Sequence, residues 1–142
     1  MICTIISSPP DPLACELVKC IPWEVNRNED YGSTSHVNLQ EMRAIRNEIV
    51  DACREGLAPF RRVNGTDSNV CLGAWAKGRS SSLLLNGLLR KTIGWHVLGN
   101  KVLVNFRIDT KSNPADDPSR DAPLRAADTC PSWAERLLRP TE

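Results

Sequence analysis

Lys101-Val102-Leu103-Val104-Asn105-Phe106-Arg107-Ile108-Asp109, followed closely by Asn113-Pro114-Ala115-Asp116-Asp117-Pro118-Ser119-Arg120, is the stretch on which the reading of this chain turns. In its first part Val102, Val104, Phe106 and Ile108 fall on one side, and Lys101, Asn105 and Arg107 on the other. Period-two alternation predicts a strand with the valine side buried, lying at the outside of a sheet or covered on one face. The second part opens a helical turn with Pro at its first position and Asp116 at its third. Unsatisfied N–H groups favour a negative charge there. A strand that runs into such a turn is one way to place a metal-ligating acid.

Two further acids precede it in the chain. They are Asp67, in Thr66-Asp67-Ser68, and Glu41, in His36-Val37-Asn38-Leu39-Gln40-Glu41-Met42-Arg43-Ala44. Hydrolysis of a phosphodiester by two metals needs carboxylates from separate elements converging on ions roughly 3.5–4 Å apart. Magnesium prefers oxygen ligands and keeps several waters, so Asp and Glu side chains suffice. Each acid also has a purely structural reading. Glu41 can complete a capping box with Asn38, Asp67 can cap the helix that follows it, and Asp116 can simply sit well at a helix start.

The surrounding pattern predicts the scaffold. Leu39, Met42, Ile45, Ile49, Cys53 and Leu57 lay one apolar stripe along a helix over 38–57, with Gly56 near its stop. Phe60 to Thr66 reads as a strand, although Arg61, Arg62, Asn64 and Gly65 make it a poor one for a sheet centre. A short helix from Asp67 runs through Val70, Cys71, Ala74 and Trp75 to Lys77-Gly78. Ser80 to Ser82 start the next one, with Leu84, Leu85, Leu88, Leu89 and Ile93 on one side. Trp95 and His96 fall in a turn-like stretch with no role assigned to the histidine. Residues 1–35 are punctuated by Pro9, Pro10, Pro12 and Pro22, and only Ile2 to Ile6 or Leu17 to Ile21 suggest a short strand or turn of helix. After Arg120 the composition shifts to Pro, Ala, Asp and Arg, with one helical turn expected over Ser132 to Arg139. The chain thus reads as a poorly defined segment 1–35, an α/β core 36–120 and a tail 121–142.

Composition narrows the function classes. A chain of 142 residues suits one domain with a single core, and 41% apolar content lies outside the disordered range. With 18 basic and 17 acidic residues the net charge is +1, so nucleic-acid binding must rest on local patches rather than a global field. No apolar run approaches the roughly 20 residues of a membrane span. Nor is there a basic-flanked secretory signal, and the expectation is a soluble, intracellular protein without a membrane partner. The six cysteines form no Cys-x-x-Cys pair, which argues against a metal cage. Without secretory context a disulfide framework has little support.

The motifs also carry a resemblance. His36 to Ile45 is similar to the "H-I-N-x-x-E-x-R-A" segment of ribonuclease H-like domains in reverse-transcriptase-bearing retroelements, and Asp67-Ser68-Asn69-Val70-Cys71-Leu72-Gly73-Ala74 resembles that family's "D-S-x-V-x-L-G-A". Lys77 to Ser82, Leu85-Asn86 and Leu89-Arg90 resemble its next helix, and Asn113 to Arg120 its closing "N-P-A-D-x-P-S-R". The resemblance spans about residues 36–120 in collinear order. It implies a mixed five-stranded sheet flanked by helices and divalent-metal-dependent cutting of the RNA strand of RNA–DNA hybrids. Glu41, Asp67 and Asp116 would be the catalytic metal ligands for Mg2+ or Mn2+, with Asp117 the neighbour easily mistaken for the third. Lys77, Arg79, Arg90 and Lys91 are the expected contacts to hybrid phosphates, helped by backbone N–H groups near Ser80 to Ser82. The family opens with a three-strand meander whose first strand carries the central Asp, and residues 1–35 contain no such strand. The resemblance therefore implies an incomplete ribonuclease H-like fold whose catalysis is weakened or lost. A non-catalytic remnant, or a small α/β interaction module whose helix caps only imitate the motifs, is the alternative.

Overall fold

The computed structural model describes residues 9–28, 36–56 and 59–138, and the expectations for Ile2 to Ile6, Leu57 and Arg139 fall outside these. The described residues form two compact units, one between residues 36 and 107 and the other from 9–28 together with 108–138.

The first unit is built on α2, Val37–Arg54. Its stripe behaves as the spacing requires. Met42, Ile45 and Ile49 are buried, and Leu39 and Cys53 pack at the margin. Strand β1, Phe60–Thr66, pairs in parallel with β2, Lys101–Arg107, in the register Phe60↔Lys101 to Thr66↔Arg107. Parallel neighbours need a long crossover, supplied here by α3, Asn69–Lys77, and α4, Leu83–Gly99. The α/β class is therefore observed, and the described residues hold one sheet of two strands. One core joins Met42, Ile45 and Ile49 with Cys71 and Ala74 of α3, Leu85 and Leu89 of α4, and Leu103 of β2.

Three local expectations are corrected. On β2 the buried side is Lys101 and Leu103, whereas Val102 and Val104 are exposed. All the helices that contribute to the core meet the sheet on the Leu103 side, and among the described residues Val102 and Val104 stay exposed. On α4 the inward stripe is Leu85, Leu88, Leu89 and Thr92, whereas Leu84 and Ile93 are exposed. Thr92 tolerates burial because its hydroxyl donates to the Leu88 carbonyl over 2.8 Å. Trp95 and His96 belong to α4, which continues to Gly99 and stops at Asn100 in the left-handed conformation. His96 Nδ1 lies 2.9 Å from the Lys101 carbonyl and its ring meets Trp75 edge-on, so it ties the end of α4 to α3 and to the start of β2.

The polar side of β1 is accommodated by pairing. Arg62 reaches Glu48 at 2.8 Å and Glu55 at 3.6 Å, and Asn64 donates to Asn105 across the sheet over 2.8 Å. Gly99 is held against Cys53, whose Sγ a Cβ at residue 99 would strike. Gly99→Ala is expected to destabilise the unit by about 1–3 kcal/mol through overpacking. Cys53→Ala in the same chain should recover most of the loss, as denaturant midpoints of the single and double variants will record. An unchanged midpoint in Gly99→Ala would mean that α2 and the end of α4 are not packed this closely.

The second unit joins α1, Pro12–Cys20, to three short 3-10 turns and α5, Ser132–Leu138. Asp11 caps α1 by accepting from Leu13 N at 2.8 Å, with Pro12 at the first helical position. Leu17 to Ile21 thus falls largely in a full helix, in which Cys15, Val18 and Cys20 are buried. The helical turn expected near Trp133 is α5, with Ala134 buried.

Candidate carboxylate site and nucleic-acid interface

Two of the three candidate acids, Glu41 and Asp67, belong to the first unit. The N-cap of α3 is Ser68, whose Oγ accepts from Cys71 N over 3.3 Å, so the expected capping by Asp67 is not made. The hydroxyl of the next residue is better placed for that bond. Asp67 is left at the carboxyl end of β1, half-buried, with no hydrogen-bond or ion-pair partner for its carboxylate among the described residues.

Glu41 is likewise free of the capping box expected with Asn38. The helix begins one residue earlier, and His36 caps it by accepting from Asn38 N at Nδ1 over 3.3 Å. Glu41 instead turns toward α3, where Cys71 Sγ lies 3.7 Å from its Oε2 and donates to the Asn38 carbonyl over 3.3 Å. Burial pushes the Cys71 thiol up to about 11, with the Glu41 charge adding to the rise. The thiol therefore stays protonated as a donor. One side chain thus links Glu41 to the helix start that Asp67 precedes. Carboxylates such as Glu41 and Asp67 carry the oxygen donors that magnesium prefers. Within either unit, among the described residues, no group of three or more His, Cys, Asp or Glu side chains is gathered as a metal cage.

Asp116 lies in the second unit. Asn113 caps its turn by accepting from Ala115 N over 3.1 Å, and the turn Pro114–Asp116 is 3-10. Asp116 pairs with Arg120, a largely exposed partner, at 3.0 Å. Asp117 is more firmly engaged. Arg125 grips both its oxygens, at 2.6 and 2.7 Å, and this bidentate contact holds its carboxyl below the usual carboxylate range. Of the two neighbours, Asp116 is the one held only by an exposed i,i+4 pair, the weaker kind of restraint.

The expected basic contacts divide. Lys77 and Arg79 line a groove of about 510 Å³ together with Asn69, Val70, Gly73, Ala74, Ser80 and Ser81. Arg90 and Lys91 are exposed on α4 and do not line it. Gly73, with no side chain, and Ala74, with only a methyl, are among its lining residues, and Gly78, left-handed at φ 63°, ends α3 where the chain turns toward Arg79 and Ser80. That turn is fixed by Asn86, whose amide donates to the Ser80 carbonyl and accepts from Ser80 N, both at 2.7 Å. Asn69 as a lining residue and Asn86 as a clamp are not legible as such in sequence. The only signal is an amide six residues beyond Ser80, in an otherwise apolar first two turns of α4. Cations, hydroxyls and a shallow shape suit a phosphodiester backbone.

The chain matches no family model, no curated protein and no solved structure. No helix among the described residues is long and apolar enough to cross a membrane.

Proposed function

We propose that this chain is a retroelement-derived ribonuclease H-like domain that binds RNA–DNA hybrid, and in which the ancestral metal-dependent hydrolysis of the RNA strand is weakened or lost. The observation that carries this reading is the linkage of Glu41, through Cys71, to the start of α3, directly after the strand end that bears Asp67. Neither acid is taken up by helix capping, so both remain available as ligands. The collinear order of helix, strand, helices, strand and acid-bearing turn supports the same reading. A bound Mg2+ or Mn2+ would supply activation of water and stabilisation of the leaving oxygen. Glu41 and Asp67 would hold it by their carboxylates, whereas Asp116, in the other unit, is nominated by the sequence resemblance alone. Lys77 and Arg79 would seat a phosphate in the groove.

A labelled RNA–DNA hybrid, titrated at low salt and then incubated with Mn2+, tests this. Binding that weakens steeply with salt is expected, with cleavage slow or absent. Any cleavage should disappear in Asp67→Asn and in Asp116→Asn, each prepared as folded protein. A folded chain that binds no hybrid at low salt would sink the proposal. It would favour a second reading, a protein-interaction module, for which the large exposed side chains Leu83, Leu84, Val97 and Leu98 of α4 speak.

A further inference from the structure

In the second unit two cysteines from distant parts of the chain meet. The Cys130 thiol donates to Cys20 Sγ over 2.8 Å, although 110 residues of sequence separate them. The Cys20 thiol itself donates to the Leu17 carbonyl over 3.2 Å, which leaves its sulfur lone pairs turned to Cys130. The two sulfurs are about 0.8 Å beyond the ~2.0 Å of a disulfide bond. Backbone contacts hold them there. Asp128 N donates to the Lys19 carbonyl over 2.9 Å, one residue before Cys20 and two before Cys130. On the other side Pro131 directly precedes α5, its carbonyl accepting from Ala134 N over 2.9 Å.

We propose that Cys20 and Cys130 are a redox-modification site, forming a reversible disulfide that clasps the end of α1 to the segment before α5. A low-molecular-weight disulfide such as glutathione disulfide is the oxidant. Cys130, half-buried, is more accessible than Cys20, which is 6% exposed, and so reacts first. It loses its proton to solvent and attacks one glutathione sulfur. That S–S bond breaks, a mixed disulfide forms, and one glutathione thiolate leaves. Cys20 then gives up its proton and attacks Cys130 Sγ, expelling the second glutathione thiolate. Two protein thiols are oxidised to one disulfide, and one glutathione disulfide is reduced to two glutathiones, which take up the two protons. Hydrogen bonding to Cys20 and burial push the Cys130 thiol up to about 11, so in the reduced state Cys130 is protonated near neutral pH. The oxidised clasp joins two segments of the second unit that the first unit separates in sequence. Closing so long a loop restricts the unfolded chain strongly.

The full-length chain is equilibrated natively in glutathione redox buffer, its remaining thiols are alkylated, and its unreduced peptides are mapped by mass spectrometry. A linked peptide pair joining Cys20 to Cys130 is expected, lost on addition of dithiothreitol and retained in Cys15→Ser. The unfolding midpoint should rise on oxidation by at least about 5 °C. Cys130→Ser and Cys20→Ser should abolish that rise, while the mapping of the unsubstituted chain stands whether or not these variants fold. Alkylation of both cysteines after oxidation, a bridge through Cys15 instead, or a bridge that forms only in denaturant would each overturn the proposal.

Discussion

Removing four cations, in a chain carrying Lys77→Ala, Arg79→Ala, Arg90→Ala and Lys91→Ala, is expected to weaken RNA–DNA hybrid binding by roughly 100-fold at low salt. The net charge of +1 less four becomes −3, so a protein with no field to spare would repel the duplex. The plot of log affinity against log salt should become shallower by about 0.9 for each phosphate that is no longer neutralised. Most of the weakening should already appear in Lys77→Ala with Arg79→Ala, because these two line the groove. Arg54→Ala with Arg61→Ala removes the same charge from exposed positions outside it, and should change affinity and slope much less. Equal effects in the two double variants would show that net charge alone governs binding and that the groove is no interface.

Met42→Ala should be the most damaging single core change in the first unit, costing about 2–5 kcal/mol. Met42 is fully buried and sits in the cluster shared by α2, α3, α4 and Leu103 of β2. The cost combines lost transfer energy with the cavity left among neighbours that cannot all follow it. A small unit has few kilocalories in reserve, so partial unfolding at ambient temperature is expected. Chemical denaturation followed by far-ultraviolet circular dichroism measures this. A change below about 1 kcal/mol would mean that the helices repack around the gap. Val102→Ala, on the exposed side of β2, provides the contrast and should cost far less.

The candidate site is partly legible in the sequence. Glu41, Asp67 and Asp116 stand out as acids in a recognisable order, and Lys77 and Arg79 as cations beside a helix start. The structural duties expected of Glu41 and Asp67 fall to other residues, because a capping residue is chosen among adjacent candidates by backbone geometry. Ser68 and His36 take the bonds expected of Asp67 and of the Asn38–Glu41 pair. The Asn86 clamp depends on a turn that folds Ser80 back over six residues onto the helix it precedes, and the Cys20–Cys130 contact on groups brought together from a distance, for which spacing carries no signal. For the same reason, the absence of a Cys-x-x-Cys pair could not reveal two thiols 110 residues apart.

By itself the sequence determined the elements whose cause is local. The stripe of α2 follows from 3.6-residue periodicity, the stop of α3 from a left-handed Gly78, and the strand over Lys101 to Arg107 from alternation. Only the tertiary structure decided which side of that strand is buried. Both sides offer apolar atoms, since Leu103 and the long stem of Lys101 rival Val102 and Val104 in the area they can bury. The choice went to Leu103 because α2, α3 and α4 all contribute to the core on its side of the sheet. Burial is a property of what arrives to cover a surface, and a strand's own residues do not say from which side the helices come.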